Sequence, residues 1–239
     1  MAATPQVLGI LGGLGPMATV YFYEMLTRHT QAARDQDHID VIINSRASTP
    51  DRTAYILGQS AEDPFAVMAA DAERLVAFGA DVLAIPCNTA HYFYDRLRET
   101  IRVPILNMVE ETVREVRRRG CQKVGILATA GTIQAGTYAR VCEAQGLSYA
   151  VPEDAEQALV SSVIYDDIKR GLPADMDKFS RAVRALERAG CTRMILGCTE
   201  LSLVKRDEHL DAEYIDSMEV LAKNAIEAFG RTPIGFEED

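Results

Sequence analysis

Cys87 and Cys198 are the residues whose placing first points to chemistry. Each ends an apolar run, 82–85 and 194–196, and each is followed by small polar residues, Asn88-Thr89 and Thr199-Glu200. Gly79 precedes Cys87 by eight residues, and Gly190 precedes Cys198 by eight. An apolar run cut off by turn-formers reads as a buried strand of a parallel sheet. Ligands of open α/β sheets sit at the carboxyl ends of such strands. Asn88 or Thr89 is then expected to cap the next helix. A helix start favours the thiolate, so either cysteine can be a base, a nucleophile, a redox centre or a metal ligand.

Three uses compete for the pair. A hydrolase would need one cysteine, a histidine base and an orienting acid; His91, four residues after Cys87, offers a dyad but leaves Cys198 without a role. A redox pair lacks the C-x-x-C motif, and a disulfide forms only if the two Cα atoms come within about 7 Å. Inversion at a carbon centre uses both thiols at once. One group removes a proton from one face, a second delivers a proton to the other, and the roles exchange with the enantiomer bound. No cofactor-binding lysine motif is evident, so the carbanion would depend on donors preorganised around a carboxylate in a dry cleft.

The elements that must position these thiols form a repeat. Gly9 and Gly125 lie 116 residues apart, Cys87 and Cys198 lie 111 apart, and Asn107 and Asp216 lie 109 apart. Such a small drift indicates two homologous halves that differ by short loop changes. Strand alternates with helix in each half, which predicts two pseudo-symmetric α/β domains of parallel sheet with the site in the cleft between them. The expected division is 1–103 plus 216–239 for the unit with Cys87, and 104–215 for the unit with Cys198. A helix is predicted over 156–170, ending at Gly171.

Composition limits the partners. The 239 residues are 48% hydrophobic and 25% charged, with a formal charge of −10. That charge argues against nucleic acid or an anionic membrane, and an anionic substrate would need local cations. The run Val7–Leu11 is too short for a signal core or a span. Five cysteines in a chain this long do not suggest a disulfide framework, and no His/Cys group has zinc spacing. A cytoplasmic location and no metal are expected. Cys121, Cys142 and Cys191 read as small buried hydrophobes.

Three further features have open readings. Gly13-Leu14-Gly15-Pro16-Met17-Ala18 matches the dinucleotide pattern in form. The acid expected after the second strand is missing, however, so it reads as a glycine-rich turn lining an anion or small-molecule site. Arg52 is either a carboxylate clamp or an exposed loop arginine. Lys169 is read from its position as complementing a helix dipole.

The chain resembles the cofactor-independent aspartate/glutamate racemase superfamily, and within it the aspartate racemases most closely, over essentially its whole length. The resemblance rests on Gly9-Ile10-Leu11-Gly12-Gly13-Leu14-Gly15-Pro16, residues 50–58 from Pro50-Asp51-Arg52, Pro86-Cys87-Asn88-Thr89-Ala90-His91, residues 125–129 and Gly197-Cys198-Thr199-Glu200. It implies racemisation of aspartate by two bases, Cys87 and Cys198, without pyridoxal phosphate. It implies that Asn88, Thr89, Thr129, Thr132 and Thr199 supply donors to the α-carboxylate and amino end. Arg52 becomes the clamp on the side-chain carboxylate and Lys169 its partner cation. It also implies a small acidic amino acid as substrate, a homodimer, and a C-terminal helix packed on the first domain. Glutamate or broader racemisation, a maleate isomerase or hydantoin racemase, and a non-catalytic amino-acid-binding protein are the other readings.

Overall fold

The structure, a computed structural model, describes residues 6–236. Two parallel sheets organise the chain. The first has the order β2-β1-β3, from Val7–Gly12 (β1), Asp40–Ser45 (β2) and Val82–Ala84 (β3). The second has the order β5-β4-β6-β7, from Lys123–Ala128 (β4), Ser148–Ala150 (β5), Arg193–Gly197 (β6) and Tyr214–Asp216 (β7). Every strand pair is parallel. An isolated parallel bridge sets Ile105 beside Leu83, just as β7 lies beside β6. The two sheets therefore share one strand order, which is the structural form of the repeat.

The paired glycines explain why that order packs. A methyl group at Gly9 would stand 2.5 Å from Leu83 and 3.3 Å from Leu75 of helix α3 (Phe65–Ala77). One at Gly125 would stand 2.5 Å from Met194 and 2.8 Å from Leu186 of helix α9 (Met176–Arg188). In each half the central strand gives up a side chain so that a helix and the next strand close on it.

Around the sheets lie α1 (Pro16–His29), α2 (Arg52–Ile56), α4 (Tyr94–Thr100), α5 (Met108–Arg118), α6 (Ala130–Ala135), α7 (Thr137–Ala144), α8 (Asp154–Ser162), α10 (Thr199–Glu208) and α11 (Ser217–Ala228). Asn107 and Asp216, the third repeat pair, are both N-caps: Asn107 accepts from the N–H groups of Val109 and Glu110, and Asp216 accepts from that of Met218. The alternation of α11 returns it to the first sheet, where Leu221 and Ile226 are fully buried with Leu8, Ile10 and Phe22. Truncating one such side chain to Ala costs about 2–5 kcal/mol. We propose that the chain crosses between the units after Leu106, since Ile105 pairs in the first sheet, and crosses back between Asp216 and Ser217. Among the described residues, no helix is long and apolar enough to cross a membrane.

The single helix expected over 156–170 is three pieces. After α8 comes a π-helical turn, Val163–Asp167, and then a 3-10 turn, Ile168–Arg170, that ends at Gly171 with φ +74°. Periodicity within the segment could not reveal this, because a π turn adds one residue without changing composition. Neither Asn88 nor Thr89 caps a helix through its side chain: a 3-10 turn, Thr89–Phe93, follows Cys87 without a side-chain cap.

Candidate active site

Cys87 and Cys198 line the same narrow cleft between the carboxyl ends of β3 and β6. Both are 5% exposed. Arg52, Asn88, Thr89, Thr129, Lys169 and Thr199 also line it. Of the candidate substrate-binding residues, Thr132 is set back from the cleft wall and is held to Thr89 and Thr129 by hydrogen bonds. A larger groove of about 950 Å³ between α5 and α11 contains neither cysteine.

Three hydroxyls join the halves. Thr89 Oγ1 lies 3.0 Å from Thr129 Oγ1 and 2.9 Å from Thr132 Oγ1, and those two are 3.0 Å apart. Thr129 caps α6 by accepting from the Thr132 N–H. Each hydroxyl can turn its proton towards a bound oxygen. Asn88 behaves differently. Its Oδ1 accepts from Tyr138 at 2.6 Å and its Nδ2 donates to Ser217 at 2.9 Å, so most of its amide binds the protein. It braces Cys87 against the second half and the start of α11.

Arg52, the first residue of α2, reaches back over the glycine turn. Nη1 donates to the carbonyls of Thr49 and Pro50, and Nη2 to that of Leu14 at 2.9 Å. Its Nε is buried without a protein partner. The guanidinium thus ties two loops together. The turn itself is filled by protein: a methyl on Gly13, at φ +82°, would lie 2.4 Å from the backbone of Arg46.

Lys169 does not act as a simple dipole complement. The residue is exposed overall, yet its ammonium turns inward and donates to Glu200 Oε1 at 2.5 Å. Burial pulls the ammonium's pKa down, but the charge of Glu200 and then of Cys198 outweigh it and hold the group above its ordinary value.

The two thiols sit in unlike surroundings. Cys198 is the N-cap residue of α10, where the helix start was expected to favour the thiolate. Instead burial, and next the Glu200 carboxylate, push its thiol well above the ordinary value, against the pull of Lys169. Its Sγ donates to Glu200 Oε2 at 3.0 Å. Cys87 has His91 nearby, but the dyad is ruled out by hydrogen bonding. The Met108 N–H donates to His91 Nε2 at 3.1 Å, so Nδ1 carries the proton and donates to the Cys87 carbonyl at 2.9 Å. Burial lowers the pKa of this imidazole and keeps it neutral. His91 positions the backbone of Cys87 and does not touch its sulfur. Cys142 is a core residue whose thiol burial pushes up to about 11; Cys121 and Cys191 are buried too.

Glu200, Tyr165 and Thr53 also line the cleft and were not singled out in the sequence. An acid in the first turn of a helix reads as dipole complementation, which hides Glu200. Tyr165 lies on the π turn, whose register the sequence conceals.

The model of the Asp/Glu/hydantoin racemase family matches residues 11–225. The chain belongs to that family. The broad-specificity amino-acid racemase RacX of Bacillus subtilis is 30% identical over 233 residues, 93% of this chain and 98% of its own. Among solved structures, the aspartate racemase of Picrophilus torridus superposes with a TM-score of 0.80 at 26% identity, covering 96% of each chain. An aspartate racemase homologue from Pyrococcus horikoshii superposes with a TM-score of 0.76 at 26% identity, covering 94% of this chain and 99% of its own. The racemase therefore shares the two-sheet fold of these proteins, and its two cysteines stand in one cleft of that fold.

Proposed function

We propose that this racemase interconverts L- and D-aspartate by a two-base thiol mechanism that uses no pyridoxal phosphate. The observation that carries the reading is the meeting of Cys87 and Cys198, 111 residues apart, in one cleft with Arg52 and Lys169. Two acid–base groups of one kind, from two like halves, suit a reaction whose substrate and product are mirror images. One thiolate takes the Cα proton while the opposite thiol supplies another. The carbanion's charge spreads onto the α-carboxylate, where the hydroxyls of Thr89, Thr129 and Thr199 can donate. Arg52, on the cleft wall, is the clamp for the side-chain carboxylate. We further propose that the enzyme acts in the cytoplasm as a homodimer on a small acidic amino acid, without nucleic-acid or membrane partners.

A wider substrate range is the second reading, favoured by the likeness to RacX over nearly the whole chain. The test of both is incubation of the purified protein, with no added cofactor, with L-aspartate in deuterated water. Optical rotation and the Cα proton signal are followed together, with glutamate and neutral amino acids in parallel. Loss of both signals with aspartate alone supports the first reading; comparable rates across the panel select the second. No exchange with any amino acid would overturn both.

A further inference from the structure

Glu200 has no part in the two-thiol scheme, yet in the cleft it binds both Lys169 and Cys198. Its two oxygens face different partners. Oε1 accepts from Lys169 at 2.5 Å, and Oε2 accepts from the Cys198 thiol at 3.0 Å. The side chain is only 8% exposed. The glycine turn keeps this seat open: a methyl on Gly15 would stand 3.0 Å from Oε1. A thiol that donates to a carboxylate is protonated, so Cys198 as it stands is an acid and not a base.

We infer that Glu200 is the proton acceptor that turns Cys198 into a base. Two negative charges 3.0 Å apart are disfavoured, so one proton is held between Cys198 and Glu200. When the proton moves from Sγ to Oε2, Cys198 becomes a thiolate beside Lys169 and Glu200 becomes a neutral carboxylic acid. No proton leaves the cleft. Cys198 then takes the Cα proton from one face, Cys87 gives its thiol proton to the other, and the cleft ends with a Cys87 thiolate, a Cys198 thiol and a protonated Glu200. Two exchangeable protons are distributed over three acids before and after the reaction. The opposite enantiomer runs the same steps backwards.

This role rests on the racemase reading for its purpose, but its first test does not. Cys198 alkylation by iodoacetamide is measured across pH without substrate and read by peptide mass mapping. In the wild type, a shared proton gives a constant thiolate fraction and a rate plateau that extends well below neutral pH. In Glu200→Gln the plateau is lost, and the rate falls about tenfold per pH unit below the thiol's own ionisation. A tenfold-per-unit fall through neutral pH in the wild type overturns the proposal, whether or not the variant folds.

The second test is turnover. The acid limb of kcat for aspartate is expected to move up by about two or more pH units in Glu200→Gln, with activity at least about tenfold lower at pH 7 and recovering on the alkaline side. Glu200→Asp is expected to restore the low acid limb. A Gln variant that is slower at every pH with an unmoved limb would make Glu200 merely structural. Absence of turnover in the wild type together with the alkylation plateau would reject the racemase reading and keep the proton pair.

Discussion

The Tyr165 hydroxyl donates to Thr53 Oγ1 at 3.0 Å, tying the π turn of the second half to helix α2 of the first beside the cleft. The contact is close on the other side as well, since a methyl on Gly131 would stand 2.9 Å from the Thr53 Cα. Tyr165→Phe removes only this bond. A single hydrogen bond contributes about 0.5–1.5 kcal/mol, so the melting temperature is expected to fall by roughly 2–4 °C. Because the bond spans the site, KM is expected to rise several-fold with kcat little changed. A calorimetric melt and steady-state rates check both; an unchanged KM would show that the bond does not shape the bound cleft.

The two cysteines are expected to fail differently. Cys87→Ser and Cys198→Ser should each lower racemisation by about 10²–10⁴-fold, the range for losing a positioned acid or base. Each variant should still exchange the Cα proton of one enantiomer, and not the same one. Deuterium uptake measured separately on L- and D-aspartate decides this. Equal residual exchange from both enantiomers would mean that the thiols do not divide the faces.

Arg52 holds three carbonyls as well as the proposed carboxylate. Arg52→Lys keeps the charge but not the fork that reaches Thr49, Pro50 and Leu14. Activity on aspartate is expected to fall at least about tenfold and the melting temperature to drop, because hydrogen bonds to charged groups contribute about 1.5–3 kcal/mol each. Activity near wild type would remove Arg52 from the site.

Asp216 should make stability fall as pH rises. Burial first, and then Glu219, raise its pKa to about 7, above its unfolded value of about 3.9. The folded state therefore binds the proton more tightly. The stabilisation is complete below the unfolded value and is lost as pH rises through about 7. Asp216→Asn keeps an Oδ1 acceptor for Ser202 and the Met218 N–H and removes the charge. Melting curves should show the variant gaining on the wild type between pH 5 and pH 8. A difference that does not vary with pH would disprove the linkage.

Much of the architecture was legible because it follows from local pattern. Short apolar runs ending in Gly, Pro and Cys marked the buried parallel strands, and the near-constant offsets of Gly9/Gly125, Cys87/Cys198 and Asn107/Asp216 revealed two like halves. Local pattern failed where backbone and side-chain partners compete. Asn88 has the composition of a cap, but its amide serves Tyr138 and Ser217, which lie 50 and 129 residues away. His91 has the spacing of a catalytic partner, but both ring nitrogens are taken by backbone groups.

The sequence by itself determined the two thiols and their strand-end placing, since residue type and hydrophobic period are local properties; read from position alone, Arg52 stayed open and Lys169 passed for a helix-dipole complement. Only the tertiary structure decided the state of those groups. Lys169 and Glu200 are 31 residues apart, and their pairing depends on the 3-10 turn that carries Lys169 meeting the start of α10 beside Gly15. That meeting places a carboxylate on Cys198, and the surrounding burial makes its charge count. The ionisation of a thiol is set by what faces it in space, and no spacing along the chain records that.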